Sequence, residues 1–233
     1  MGHWYGRGRS TTLGSDARTR AVEAAIARRL ARHGARPRFH WLPSADLPGF
    51  PIACVLEGTE PPTAAVGLGC DLRLSRAMYN AFLEAAAVAQ LAKVSLFREA
   101  MDRRLEPELE PSGRDGAHIY DLDSNVVRYA TSEPGALRAR FEMDRAAPGD
   151  LPPDVDESVS GDVVHLLDGF AGSGKELACL ELTTDDVRAL GFRVVRVWSP
   201  RMLTLSLPDA PPGLHPRFED YGGFARDDPH PYP

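Results

Sequence analysis

Residues 75–104 read SRAMYNAFLEAAAVAQLAKVSLFREAMDRR and contain neither glycine nor proline. Alanine, leucine and methionine are frequent in this stretch, and all three are strong helix formers. Ser75 belongs to the residue types that cap helix N-termini. The stretch therefore predicts one long helix from Ser75 toward Arg104, and the segments on either side of it determine the fold class.

The segments before this helix predict one shorter helix and three strands. The shorter helix is expected from Ser15 or Asp16 to about His33, where Gly34 suits a left-handed exit. Three apolar runs of strand length follow it: Arg38–Leu42, Pro51–Leu56 and Thr63–Leu68. Residues 1–14 are rich in glycine and serine, and we expect them to be a flexible N-terminus.

The segments after the long helix divide into a loop-rich part, an ordered part and a tail. Residues 106–160 are acidic and rich in proline and glycine, which predicts loops with a helical piece around Ala136–Met143. The expected ordered elements are a short helix or strand at Asp162–Gly169, a strand at Leu177–Leu182, a helix at 183–191 and a buried strand at Phe192–Trp198. This alternation predicts one α/β (α+β) domain with a mixed sheet over residues 15–233, including a proline-rich tail at 200–233.

The composition excludes several classes of function. The 233 residues carry a formal net charge of -6, which argues against nucleic-acid and membrane-surface partners because both need clustered positive charge. No apolar run is long enough to span a membrane, and the N-terminus lacks the apolar core of a secretory signal. A cytoplasmic protein is expected. The excess of arginine over lysine indicates a GC-rich bacterial genome, and the three widely spaced cysteines are interpreted as reduced, buried thiols.

Two motifs resemble ligand-binding loops but lack residues that such loops need. GFAGSGKE at 169–176 has phosphate-loop spacing, yet Glu176 stands where Ser or Thr would hold magnesium, so a tight turn is predicted. DLDSNV at 121–126 begins like a calcium loop without its glycine, so a solvated turn is predicted. The histidines show no paired zinc spacing, and no serine-nucleophile motif occurs.

Two other features are better candidates for a site. Asn80 and Glu84 are four residues apart and share one face of the long helix, among small and apolar neighbours. A carboxylate there needs a cation, a metal or solvent, unless it is simply a partly exposed glutamate. The C-terminal PHPYP favours extended polyproline II geometry, which would deliver the terminal carboxylate to a defined place if the tail docks. The alternative is a disordered end.

Taken in order, these segments resemble the C-terminal half of a YcaO-domain protein. The resemblance rests on the helix at Arg18–His33, the strand PIACVL (51–56), VGLGCDLRLSRAMYNAFLEAAAVAQ (66–90), ELACLELTTDDVRALGFRVVRVWSP (176–200) and the tail PHPYP (229–233). It implies the C-terminal part of the YcaO fold. It leaves residues of about 106–160 without a clear counterpart.

The resemblance also implies a chemistry. YcaO enzymes use Mg2+ and ATP to activate backbone amides of ribosomal precursor peptides, which yields azolines, thioamides or amidines; this needs carboxylates for magnesium and a group that transfers protons. Glu84 corresponds to the acidic residue of the family's last ATP-site helix, so it is expected to bind Mg2+ or nucleotide. Pro229, Pro231 and Pro233 match the tail of azole-forming members, which assigns acid/base work to the Pro233 carboxylate.

Departures from the family pattern suggest an incomplete enzyme. Asn80 stands where the family usually has Arg, and Ala87 where it usually has Gln; Arg76 and Gln90 are the candidates to replace them. The family's earlier glutamate motifs have no counterpart. We therefore expect a subunit of a split YcaO cyclodehydratase, whose ATP site is completed by a second polypeptide with the N-terminal half. The alternative is a non-catalytic YcaO-like partner that stabilises a complete enzyme or binds the precursor peptide.

Overall fold

The computed structural model describes residues 1–14, 16–31, 34–44, 46–105, 114–115, 118–119, 121–142, 151–156, 158–208 and 210–232. The helices are α1 (Gly2–Tyr5), α2 (Arg20–Leu30), α3 (Leu74–Leu105), α4 (Leu122–Ala130), α5 (Ala136–Glu142), α6 (Val159–Gly172) and α7 (Asp185–Ala189), with a 3-10 helix at Pro216–Tyr221. The strands are β1 (Thr11–Thr12), β2 (Arg36–Trp41), β3 (Phe50–Glu57), β4 (Ala64–Asp71), β5 (Arg114–Asp115), β6 (His118–Ile119), β7 (Ala178–Glu181) and β8 (Val195–Trp198).

A four-stranded antiparallel sheet in the order β1-β2-β3-β4 forms the centre of the structure. Strands β5–β6 and β7–β8 form two separate antiparallel pairs. Helices pack against the central sheet, so the predicted α/β (α+β) class is confirmed. All strand pairs among the described residues are antiparallel, which differs from the mixed sheet that was predicted. The three predicted strands before α3 are present as β2, β3 and β4, with ends shifted by up to three residues.

Alternation along β3 and β4 divides the core into two clusters, one on each face of the sheet. Helices α2 and α3 cover the first face, where the strands contribute Ile52, Cys54, Leu56 and Ala65. The second face is covered by residues from the two ends of the chain and from α5: Trp4, Tyr5, Leu137, Phe141, Phe218 and Tyr232. The sheet therefore separates the long helix from the segment formed by both chain ends.

The N-terminal residues are ordered in this structure, contrary to the flexible N-terminus expected for residues 1–14. Trp4 and Tyr5 are buried, at 4% and 0% exposure, and Thr11–Thr12 pairs with β2. Their partners Phe218, Phe224 and Tyr232 lie more than 200 residues away, so local composition carries no sign of this packing.

The long helix α3 is confirmed, although it begins at Leu74 and Ser75 lies inside it. The Leu74 N–H donates to Asp154 Oδ1 over 3.1 Å, which satisfies an early backbone donor from a distant segment. Helix α2 begins after Thr19, later than predicted, and the proposed cap Ser15 and end His33 lie outside the described residues. Gly34 has a φ of 63°, as the left-handed exit requires.

The segment at Asp121 is a helix start, and the prediction of a solvated turn is wrong. The Asp121 carboxylate accepts a hydrogen bond from Ser124 N–H at 2.8 Å and thereby caps α4. Ser124, Asn125 and Val126 of α4 are buried. The predicted helical piece at Ala136–Met143 is confirmed as α5, with Met143 outside the described residues.

Residues 159–207, which we call the exposed unit, contain α6, β7, α7 and β8. Asp162–Gly169 is helical within α6. The predicted strand at Phe192–Trp198 is present as β8, but its predicted burial is wrong, since Phe192 is 66% and Trp198 is 47% exposed. Further apolar side chains that this unit leaves exposed are Val163, Val164, Leu166, Leu167, Leu177, Leu180, Leu182, Leu190, Val194, Val195, Val197, Leu205 and Leu207.

The three cysteines differ in their exposure to solvent. All three cysteines are free; Cys54 is buried, whereas Cys70 and Cys179 are exposed, so the expectation of burial is wrong for these two.

Among the described residues, no helix combines the length and the apolar character needed to cross a membrane.

Candidate functional site

Glu84 lies where α3 crosses β4, the last strand of the sheet. The Leu68 N–H donates to Glu84 Oε2 over 2.6 Å, and Glu84 is half-buried. The helix approaches this closely because Gly67 has no side chain: a Cβ there would lie 2.1 Å from the Ala85 backbone nitrogen. The strand glycine thus brings the carboxylate to the sheet edge, and a backbone donor satisfies one of its oxygens.

Arg76 and Asn80 precede Glu84 on successive turns of α3, and both are exposed. The four-residue spacing places all three on one face of the helix, as predicted. Nearby, Arg73 donates two hydrogen bonds of 2.6 Å to Asp162 and lowers the pKa of that carboxyl, and the charge of Arg76 lowers this pKa further. This face therefore presents a cation, an amide and a carboxylate toward solvent.

Gln90 lies on another side of α3, because six residues turn a helix by about 240°. It lines a cavity of about 670 Å³ between α2, α3 and the β3–β4 turn, together with Arg29, Glu57 and Lys93. The structure therefore brings Arg76 and Asn80 toward Glu84 and leaves Gln90 apart from them. Ala87, one turn after Glu84, adds no polar group.

The described residues do not form a complete metal site. No cluster of three or more His, Cys, Asp or Glu side chains occurs in the described part of the chain. Mg2+ in nucleotide sites is commonly held by one or two carboxylates together with water and substrate phosphates. Glu84 has the chemistry of one such carboxylate, and a complete site would need further ligands.

The GFAGSGK motif forms the end of α6 and a turn, consistent with the predicted turn and not with a phosphate loop. Gly174 adopts a positive φ of 65°, and the Lys175 side chain, 8% exposed, pairs with Asp46. Asp46 also accepts a hydrogen bond from Arg217 over 2.9 Å, and the Arg217 side chain is 4% exposed. Two buried cations therefore share one carboxylate, and the Lys175 amine is not open to phosphate.

This shared carboxylate leads to a stability prediction. We expect Asp46→Asn to lower the free energy of unfolding by about 2 to 3 kcal/mol, because it leaves Lys175 and Arg217 without their common charge. Asp220→Asn is the control, since Asp220 forms an ion pair with Arg217 in the described part of the chain and is 43% exposed; its loss should cost less than about 1 kcal/mol. Urea unfolding of both variants measures the difference; equal losses would contradict the shared role of Asp46.

The proline-rich tail is docked, which answers the question that composition left open. Pro229, His230, Pro231 and Tyr232 are all buried, while Pro233 lies outside the described residues. The tail runs across the second face of the sheet, where Tyr232 packs in the cluster that contains Trp4.

Glu84 and the tail lie on opposite faces of the sheet. The Leu68 N–H binds Glu84, whereas the Leu68 side chain packs against the cluster that contains Tyr232. The sheet therefore lies between the two predicted parts of the site, and no hydrogen bond joins them among the described residues.

Three side chains that hold the tail were missed by the sequence analysis: Trp4, Asn125 and Tyr129. Asn125 and Tyr129 are four residues apart, so they share a face of α4. The available signal was the Asp121 cap followed by a short amphipathic segment, which predicts a helix with this pair on one side. No local sequence pattern indicates that Asn125 and Tyr129 bind the C-terminal tail.

Comparison with protein families gives one match over most of the chain. The family described as YcaO cyclodehydratase, ATP- and Mg2+-binding, matches residues 2–203. No curated protein matches the chain.

Three solved structures are similar in fold. They are the heterocyclase TruD (16% identity, TM-score 0.53, 86% of this chain and 25% of that chain), a heterocyclase in complex with substrate and cofactor (18%, 0.56, 86% and 24%) and the E. coli microcin synthetase McbBCD complex with pro-MccB17 bound (11%, 0.56, 99% and 56%). The chain thus spans about a quarter of the two heterocyclases and little more than half of the microcin synthetase chain it matches.

Proposed function

Because the chain belongs to the YcaO family of ATP- and Mg2+-binding cyclodehydratases, we propose that it is one subunit of a split YcaO-type enzyme. The enzyme uses Mg2+ and ATP to activate backbone amides of a ribosomal precursor peptide and forms an azoline, thioamide or amidine. A second polypeptide with the N-terminal YcaO half completes the nucleotide site. We place the reaction in the cytoplasm, where ATP and newly made peptides are available.

The observation that carries this proposal is the position of Glu84. The Leu68 N–H fixes one carboxylate oxygen at the sheet edge, while the helix face with Arg76 and Asn80 is open to solvent. Bound Mg2+–ATP would supply the phosphoryl group that activates the substrate amide. In this arrangement Glu84 contributes a metal ligand, and Arg76 and Asn80 are the candidates that face the phosphates.

The exposed unit supports the need for a second polypeptide. Its two-stranded sheet β7–β8 leaves apolar side chains such as Leu180 and Val197 about half exposed, and two strands alone form a marginal sheet. Obligate interfaces resemble a protein core cut in two, and this apolar surface has that character. The microcin synthetase neighbour is a complex with its pro-peptide bound, which also favours assembly with partners.

The alternative function is a non-catalytic YcaO-like partner that stabilises a complete YcaO enzyme or binds the precursor peptide. Asn80 and Ala87 favour this alternative, because the resemblance leads one to expect Arg in place of Asn80 and Gln in place of Ala87. Loss of a phosphate-binding cation weakens a site that works by charge stabilisation.

Calorimetric titration with Mg2+–ATP separates the two functions. The chain alone and its complex with the second polypeptide are titrated, each as wild type, Glu84→Gln and Asp102→Asn. Asp102 is an exposed carboxylate near the far end of α3, so its variant makes the same chemical change away from the site.

We expect Mg2+–ATP to bind only the complex, and Glu84→Gln to weaken binding at least about tenfold because a ligand charge is lost. Asp102→Asn should bind like wild type. Binding by the complex that is the same in all three variants would overturn the split-site proposal and support the non-catalytic partner.

A further inference from the structure

Three consecutive carbonyl groups of the tail each accept a hydrogen bond from a different side chain. The Trp4 Nε1–H donates to the carbonyl of Asp228 over 2.9 Å, and the Asn125 amide donates to the carbonyl of His230 over 2.7 Å. Between them, the Tyr129 hydroxyl donates to the carbonyl of Pro229. Proline has no N–H, so a proline-rich segment can be recognised along its backbone mainly through its carbonyls.

The protonation states of the surrounding groups suit this arrangement. Burial lowers the pKa of His230 below its ordinary value, so the ring is neutral near pH 7. Its Nε2–H then donates to the Ser206 carbonyl over 2.7 Å, and its Nδ1 accepts from the Tyr232 N–H over 3.3 Å. Burial raises the pKa of Tyr129, so its hydroxyl remains a donor.

Aromatic rings fix the direction of the same segment. The His230 and Tyr232 rings stack at 5.5 Å with an interplanar angle of 21°. Tyr5 contacts His230 edge-on at 6.1 Å, and Trp4 contacts Tyr232 edge-on at 6.1 Å. The tail therefore contacts residues of both α1 and α4.

We infer that Trp4, Asn125 and Tyr129 form a cradle that sets the register of residues 228–232 of the tail. A shift by one residue would misalign all three donors with their carbonyls and would move Tyr232 out of its buried place. A polyproline II segment is already extended before it docks, so little conformational freedom is lost when the cradle fixes it. The role of the cradle in turnover rests on the proposed function, whereas its role as a binding site for the tail does not.

The first test measures how firmly the tail is held. Carboxypeptidase Y is applied to the folded full chain, and release of tyrosine and histidine is compared with release from a free peptide of residues 227–233. Tyr129→Phe removes one hydroxyl that binds the tail. Ser132→Ala is the matched control, because it removes a hydroxyl just after α4 that donates to the Tyr129 carbonyl. Among the described residues this hydroxyl makes no hydrogen bond to the tail.

We expect wild type and Ser132→Ala to release these residues slowly, and Tyr129→Phe to release them about tenfold faster, the effect of one lost hydrogen bond. Trp4→Phe, which keeps an aromatic ring and loses the Nε1 donor, should accelerate release similarly. Equal release from wild type, Tyr129→Phe and Trp4→Phe would overturn the cradle.

The second test asks whether the cradle positions the tail for turnover. In the complex with the second polypeptide, Tyr129→Phe should lower kcat and leave the KM for ATP unchanged. A general loss of folding would instead lower the active fraction of both Ser132→Ala and Tyr129→Phe. Faster tail release with an unchanged kcat would overturn the positioning role. The digestion test needs no turnover, so failure of the proposed function leaves the test of the cradle intact.

Discussion

Turnover by the assembled two-polypeptide enzyme should fall by about 10²–10⁴-fold when a single glycine is added after Pro233, the range contributed by a positioned proton-transfer group. The added residue leaves Pro229 to Tyr232 in place and carries the carboxylate about 3 Å further along the chain, the rise of one polyproline II residue. A proton-transfer group must lie within hydrogen-bond reach of its substrate atom. If the Pro233 carboxylate has the acid/base role that the resemblance implies, this displacement would take it out of reach.

The matched control also adds one glycine, but between Asp227 and Asp228. This site precedes the three bound carbonyls and lies in an exposed connection, so the extra residue can be accommodated there while the tail keeps its register. The measurement is the steady-state turnover of the two insertion variants, each in the complex with the second polypeptide. Equal activity of both insertions would contradict the acid/base role that the resemblance implies for the Pro233 carboxylate.

Gly67→Ala should be among the most destabilising single substitutions in the chain, with a loss of more than about 3 kcal/mol in the free energy of unfolding. The new Cβ would lie 2.1 Å from the Ala85 nitrogen and 2.4 Å from the Ala81 carbonyl oxygen. Both atoms belong to the backbone of α3, so no side chain can rotate away and the helix must lift from β4. The Leu68–Glu84 hydrogen bond would be lost at the same time.

Gly172→Ala serves as the comparison, because Gly172 ends α6 and nothing lies within 4 Å of a Cβ built there. Its stability should stay within about 1 kcal/mol of wild type, with a small gain from helix propensity. Urea unfolding of both variants measures the contrast. If Gly67→Ala is as stable as Gly172→Ala, the close approach of α3 to β4 is not required for folding.

The parts of the fold that could be predicted from the sequence depend on local patterns. Helix α3 follows from a stretch without helix breakers, and β2 to β4 follow from apolar runs of strand length. The placement of Asn80 and Glu84 on one face of α3 follows from the helical period alone. These features are decided within a few residues, so a single sequence is sufficient for them.

The parts that could not be predicted depend on distant partners. Trp4 is ordered by Tyr232 and by Asp228, and no composition rule for residues 1–14 contains that information. Phe192–Trp198 has the apolar run of a buried strand, but burial requires a covering element, and the described residues supply none over most of it. The tail cradle combines α1 and α4, which only the folded structure brings together.

The exposed unit has a consequence for the supply of this protein in a cell. A chain made in excess over its proposed partner would keep a broad apolar surface in water, and such surfaces promote aggregation and capture by chaperones and proteases. Unpaired copies would then be cleared, while paired copies persist. The scarcer of the two polypeptides would thus set the amount of enzyme, and balanced synthesis from adjacent genes would be favoured.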